Sequence, residues 1–309
     1  MSGSAVTFSV IVPCYGHAAF LPETIESLWA QTFKDFEIIA VVDGSPDNTE
    51  SVLESMAVAS PQPMRVISTR NEGAHAALNT GAELAVGTHL AFANDDDSYH
   101  PDRLDVFDRA IRLCDQFLWG FSAVEPMDQD GRTMAASEVP DLGRRIAIQL
   151  SGVPLEALKA LPRHNAAVSS GNLIIRRDLF GRVGGFKDLR FAHDWDLALR
   201  LLAEAPPFIA ERRLYRYRIH TGNAFAAQSN RAGARLGHAE SAQIIDRQRQ
   251  REEARVTYGP QVLPPLRVNP DEAFAIEVTL WMMVKLRSAP FFYTAARSVA
   301  RLLRNVRRR

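Results

Sequence analysis

Four short runs with little charge constrain this chain more than any other feature: residues 8–13, 36–42, 64–69 and 90–93. Turn residues bound each run, the pattern of a strand covered on both faces. Helical spacing fills the gaps. Residues 21–31 carry Leu21, Ile25, Leu28 and Trp29 on one face, with Pro22 in the first turn, where proline is tolerated. Ser45 reads as an N-cap and Pro46 as the first residue of a helix reaching about Val58. Residues 73–86 are an alanine-rich helix. Strands alternating with helices predict βαβ units and a mainly parallel sheet.

Ligands of such sheets gather at the carboxyl ends of the strands. The polar residues lie there: Pro13 and Tyr15 after the first run, Asp43 after the second, Arg70 and Asn71 after the third. The fourth run ends in Asn94, Asp95, Asp96 and Asp97. Three consecutive carboxylates repel one another, so stability alone is a poor reason for them. A divalent cation is the simplest compensation. Hard oxygen ligands suit Mg²⁺ or Mn²⁺, which often share a site with substrate phosphates. A solvated acidic turn before the helix near Pro101 is the plainer alternative.

The remainder is less regular. Residues 101–114 read as a helix, 117–124 as a strand and 128–131 as a turn. Residues 142–150 and 155–161 read as short helices, and 167–175 as a strand interrupted at Ser169–Asn172. Helices are expected at 176–183 and 194–205, and a strand at 214–219 that leads into His220. Residues 226–256 are polar and helical in pattern, 260–270 rich in proline, and 271–309 helical again.

Composition narrows the function. With 36 basic and 36 acidic residues, the formal net charge of zero gives no global attraction to nucleic acid. Cys14 and Cys114 fit no metal or redox spacing, so a reduced, cytoplasmic chain is the expectation. The N-terminus lacks the pattern of a signal peptide, and the longest apolar stretch, 273–284, is short and contains Glu277. Residues 285–309 hold eight basic residues and no acidic ones.

The ordered set Val12-Pro13-Cys14-Tyr15, Gln31-Thr32, Asp43-Gly44-Ser45 with Asp47, Asn71 with Gly73, the acidic strand end, and Pro101 with Leu104 resembles family 2 glycosyltransferases. Gly184-Gly185-Phe186 and His193-Asp194-Trp195, followed by Leu199-Arg200, continue the likeness to about Asn223. The resemblance implies an α/β, GT-A fold: a Rossmann-like, mainly parallel central sheet flanked by helices, with a helical C-terminal extension. It divides the chain into a catalytic domain, 1–225, and an extension with a basic amphipathic tail, 226–309. The implied activity is inverting transfer of a sugar from a nucleoside diphosphate donor, UDP-linked by preference, to a hydroxyl of a glycan, polysaccharide or lipid-linked acceptor.

The resemblance also distributes roles. Asp43 meets the nucleobase, with Pro13 and Tyr15 as the wall of its pocket. Arg70 and Asn71 lie near the donor; a surface ion pair is the other reading of Arg70. Asn94-Asp95-Asp96 takes the family's Asp-x-Asp position with an amide for the first acid. That leaves Asp96 as the direct ligand of Mn²⁺ or Mg²⁺. His220 is a second candidate ligand. Asp194 is the general base that deprotonates the acceptor, although a carboxylate there is also a plain helix cap. Ser170, Gly171, Asn172, His193 and Trp195 are candidates for the donor-sugar and acceptor side.

Two readings of the tail remain open: peripheral contact with a membrane at the cytosolic face, or packing on the catalytic domain or on a second subunit of a homodimer. Two rival functions also remain. One is a nucleotide-sugar- or glycan-binding subunit with little catalysis, suggested by Asn94. The other is a nucleotidyltransferase, which would show a glycine-rich basic loop after the first strand. Residues 13–17 hold one glycine and no Lys or Arg.

Overall fold

The computed structural model describes residues 6–113, 117–139, 161, 165–222 and 239–244. The helices expected at 142–150, at 155–160 and through most of the C-terminal extension lie outside these residues, as do Cys114 and Asn223.

Eight strands form one curled, mixed sheet in the order β3-β2-β1-β4-β7-β6-β8-β5. The strands are β1 (Phe8–Cys14), β2 (Phe36–Asp43), β3 (Met64–Thr69), β4 (His89–Phe92), β5 (Ser98–Tyr99), β6 (Trp119–Met127), β7 (Ile174–Arg176) and β8 (Phe208–Arg218). The helices are α1 (Leu21–Trp29), α2 (Thr49–Ala59), α3 (Ala74–Leu84), α4 (Arg103–Leu113), α5 (Arg177–Val183) and α6 (His193–Glu204).

The first half of the sheet is parallel, β3-β2-β1-β4, as the βαβ pattern requires. Side chains alternate across it. Val10, Val12, Ile38, Ala40 and Val42 pack toward one core with Leu21, Ile25, Leu53 and Phe107. Ile11, Ile39 and Val41 pack toward the other with Leu78, Leu179 and Leu197. Helix α3 sits close because Gly81 faces Ile11, where a Cβ would stand 2.4 Å from the Ile11 Cγ2 methyl.

The second half departs from the expected parallel pattern. β7 follows a tight turn at Ser170–Asn172 and pairs antiparallel with β4 and β6. β8 begins at Phe208, not Leu214, and pairs parallel with β6 through a bulge at Ser122–Val124. The α2 start also differs. Asp47, not Ser45, accepts the Thr49 N–H, at 3.1 Å, so the helix begins at Thr49 rather than Pro46.

His89 opens β4 between Phe8 and Phe117, and its Nε2 is buried without a hydrogen-bond partner among the described residues. Burial, with Arg176 nearby, lowers its pKa from 6.5 to about 4. Its neutral form therefore supports the fold fully above pH 6.5. That support is lost as pH falls through 6.5 toward 4, because only the unfolded chain takes the proton. Between about pH 7.5 and 4.5 the loss is on the order of 2.5 kcal/mol. Denaturant titrations should show His89→Phe gaining on the parent by about that amount over this interval. A gap that stays constant with pH would contradict it.

Candidate active site at the carboxyl edge of the sheet

The strand order reverses at β1, with β2 on one side and β4 on the other. The exit loops of β1 and β4 meet at that switch point, where open α/β sheets bind ligands. Thr24 of α1 fixes the acidic loop by donating its hydroxyl to the Asp95 and Asp97 carbonyls, at 3.1 and 2.8 Å. Gln31, fully buried, ties the end of α1 to the turn after β5 by donating to the His100 carbonyl and accepting the Leu104 N–H.

The three carboxylates face different partners. Asp95 accepts the Tyr15 N–H and His17 Nδ1, each at 2.8 Å, and so holds the β1 loop. Asp97 accepts the Arg218 N–H, the Asn94 amide and the Tyr215 hydroxyl, and is 1% exposed. Asp96 meets His220, whose Nε2 stands 3.0 Å from Oδ2. The Gly222 N–H stands 3.2 Å from His220 Nδ1. Burial, with the Asp96 charge beside it, pushes the Asp97 carboxyl well above the usual carboxylate range. Burial also raises Asp95, against the opposing pull of His17. For His17, burial opposes the charge, yet the bond to Asp95 and the field of Asp96 and Asp97 lift its pKa to about 9. Arg218 adds a buried cation: its Nε donates to the Asp96 carbonyl and its Nη2 to Glu23.

His17, Asp96 and His220 each offer a ligand atom, and these atoms all lie within 4.8 Å of one another. That spacing fits one divalent ion, whose donors stand about 2.1 Å from the metal. His17 Nδ1 is engaged by Asp95, which leaves Nε2 as the atom that could coordinate, with Asp95 then orienting the ring. His17 was not among the sequence candidates. Two imidazoles and one carboxylate suit Mn²⁺ better than Mg²⁺.

On the β2 side, Asp43 is 4% exposed and accepts the Glu72 and Gly73 N–H groups at 2.9 and 2.8 Å, joining the exits of β2 and β3. It does not cap α2. Gly44 lies so close to Asn71 that a Cβ would stand 2.8 Å from its backbone nitrogen. Ser45 and Asp47 brace the β1 loop, accepting the Gly16 and Ala18 N–H groups. Burial opposes the Asp47 charge, but bonds from the Ser45 and Thr49 hydroxyls and from the Ala18 and Thr49 N–H groups hold its pKa down to about 2. Pro13 is half-buried, Tyr15 is 47% exposed, and Arg70 and Asn71 are exposed around this rim.

On the other side, Asn94 links the acidic loop to the turn before β7. Its amide donates to Ser169 Oγ at 2.8 Å, and its carbonyl accepts the Ser170 hydroxyl at 3.1 Å. Gly171 fits under Tyr215, with no room for a side chain. Asn172 is fully buried, its amide taken by Ser122 and Ala167. Val168 in this segment holds φ at +72°, a strained state for a β-branched residue that costs about 1–3 kcal/mol.

The same segment reaches Asp194. Asn165 Nδ2 donates to Asp194 Oδ2 at 2.6 Å, and the Trp195 N–H donates to Oδ1. Trp195 is 7% exposed and donates its indole N–H to the Leu161 carbonyl. His193 packs on Phe186 and contacts the Leu189 carbonyl through Nδ1. One chain segment thus meets the acidic loop through Ser169 and Ser170, which bond to Asn94, and meets Asp194 through Asn165.

The family described as Glycosyl transferase family 2 matches residues 9–184. The chain is 28% identical over 219 residues to an uncharacterized glycosyltransferase of Rickettsia felis, covering 69% of this chain and 34% of that protein. It is 43% identical over 89 residues to EpsJ of Bacillus subtilis, covering 29% of this chain and 26% of that protein. The chain thus spans about a third of the length of the Rickettsia felis relative. Among solved structures, S. aureus TarS 1–349 in complex with UDP-GlcNAc superposes with a TM-score of 0.57 at 18% identity, over 95% of this chain and 88% of that one. The mannosyltransferase PcManGT from Pyrobaculum calidifontis, in complex with GDP-Man and Mn²⁺, gives 0.53 at 18%, over 97% and 86%.

Proposed function

The chain belongs to glycosyl transferase family 2, and from that membership and the site we propose an inverting, metal-assisted transferase of a nucleoside diphosphate sugar. One observation supports this most: Asp96, His17 and His220 converge at the switch point, and the segment carrying Asn165 and Ser169 meets both the acidic loop, through Asn94, and Asp194. A cation held by these three would neutralise the charge that develops on the leaving diphosphate. Asp194 takes the proton of the acceptor hydroxyl as its oxygen bonds to the anomeric carbon. The bond from that carbon to the phosphate oxygen breaks, and its electron pair leaves with the nucleoside diphosphate.

Asp43, Pro13 and Tyr15 would receive the nucleobase, and Arg70 and Asn71 the ribose and diphosphate side. Asn94 and Asp95 would act by holding the loops around the donor. Ser170 and His193 border the sugar side, with Gly171, Asn172 and Trp195 shaping it from behind. A UDP-linked donor is favoured, in keeping with the UDP-GlcNAc held by TarS. A glycan or lipid-linked acceptor, peripheral membrane contact through residues 271–309, a homodimer and a cytoplasmic location complete the reading. No helix of the described residues is long and apolar enough to cross a membrane.

The test is release of free nucleotide from a panel of UDP- and GDP-sugars incubated with the full chain and Mn²⁺. Consumption of one donor class, stopped by EDTA, is expected. Failure to consume any donor would favour a binding subunit. In the same assay His17→Ala should raise the Mn²⁺ concentration needed for half-maximal rate by about tenfold or more, the usual scale for losing a metal ligand or its support. An unchanged Mn²⁺ requirement would remove His17 from the ligand set.

A further inference from the structure

Glu240 comes from the segment following the matched region, yet it is built into the approach to α6. Its carboxylate is 6% exposed. Oε1 accepts the Arg190 N–H at 2.9 Å, and Oε2 accepts the Phe191 and Ala192 N–H groups at 2.9 and 3.1 Å. Three consecutive backbone donors converge on one buried anion, reaching across 48 to 50 residues of chain. Ile244, one turn further along, packs with Ala192, Trp195 and Leu199.

The need for this contact is visible in α6 itself. Its N-cap is Ala192, which offers no side-chain acceptor, and the helix starts two residues before Trp195. An anion at that end is favoured by the helix dipole and is held by charge-assisted bonds. Asp194 is the second residue of the helix, so the backbone at 190–192 sets where its carboxylate points. Asn165 holds the same carboxylate from the opposite side.

We infer that Glu240 is a positioning residue for the general base: a carboxylate from the C-terminal segment clamps residues 190–192 and thereby aims Asp194. This rests on the reading of Asp194 as the base. Any ligand or partner that displaces residues 239–244 then changes turnover and not donor affinity. The extension would act as a control element of the base, not only as a tether.

The experiment compares Glu240→Ala and Glu240→Gln with the parent full chain, with Asp194→Asn as control. It measures UDP and GDP affinity with Mn²⁺, nucleotide release from UDP-GlcNAc or GDP-mannose, and amide hydrogen exchange at 190–192. Glu240→Ala should lower kcat by about 10- to 100-fold, the scale of a small misplacement of a catalytic group. Its nucleotide Kd should stay within about twofold, since no bond from Glu240 reaches the β1, β2 or β4 loops. Amide exchange at Arg190, Phe191 and Ala192 should accelerate. Glu240→Gln, which keeps one acceptor oxygen, should recover part of kcat. Unchanged kcat in Glu240→Ala overturns the inference, and so does a parallel loss of kcat and nucleotide affinity. If Asp194→Asn leaves turnover intact, the base reading itself fails and the inference falls with it, an outcome the control separates from the others.

Discussion

Asp194→Asn is expected to reduce turnover by about a thousandfold while the chain folds and binds nucleotide as before. The size follows from the chemistry: a sugar hydroxyl does not attack without losing its proton, and an amide cannot accept it. The fold should tolerate the change. The substituted side chain can keep the bond to the Trp195 N–H through its carbonyl, while its NH₂ would face the Asn165 amide that now donates to Oδ2. Asn165 can answer by turning its amide over, because its Oδ1 is buried with no partner among the described residues. Single-turnover rates with saturating donor, set beside calorimetric Kd values, separate the two effects. Loss of both affinity and rate would make Asp194 a structural cap. Retention of rate would remove it from the chemistry.

Asp96→Asn is expected to have an effect of similar size, but on a different quantity. Asp96 is the one carboxylate of the three-residue cluster and would be its anionic ligand, since imidazole coordinates as a neutral ring. Removing that charge should weaken Mn²⁺ binding by about 100-fold or more, and with it the metal-dependent part of nucleotide affinity. Asp95 cannot readily substitute, because its oxygens hold Tyr15 and His17, and Asp97 is 1% exposed beneath Tyr215 and Arg218. Mn²⁺ paramagnetic resonance in the presence of UDP reads this directly. A variant that still binds Mn²⁺ as tightly as the parent would place the metal elsewhere. The amide at Asn94 braces the acidic loop against Ser169 and Ser170.

Local pattern carried the parallel half of the fold, since β1, β2 and β4 are buried runs closed by turns and β3 is a partly buried one at the sheet edge. β3 matched at both ends, and α1, α3 and β4 to within two residues. Sequence failed where pairing partners decide. β7 is three residues long and is a strand only because β4 and β6 flank it. The first half of β8 was hidden by the charged run Glu211-Arg212-Arg213, where the pairing with β6 is bulged and both arginines are exposed. The site divides in the same way. The acidic loop and His220 stood out as residue types at strand ends. His17, an isolated histidine in a glycine-containing loop, gains meaning only through Asp95, 78 residues away. Asn165 and Glu240 are likewise defined by what they reach, and nothing in their own neighbourhoods marks them. Asp47 was read as part of a motif; its work is to brace the loop that carries His17.

The most direct measurement is calorimetric titration of the full chain with UDP, dTDP, GDP and CDP, each with Mn²⁺ and with EDTA. Binding of one nucleotide in the micromolar range, weakened by about tenfold or more without metal, is expected of a donor site built on Asp43 and the Asp96 cluster. Absence of binding by all four nucleotides, with Mn²⁺ present and the chain folded, would contradict it.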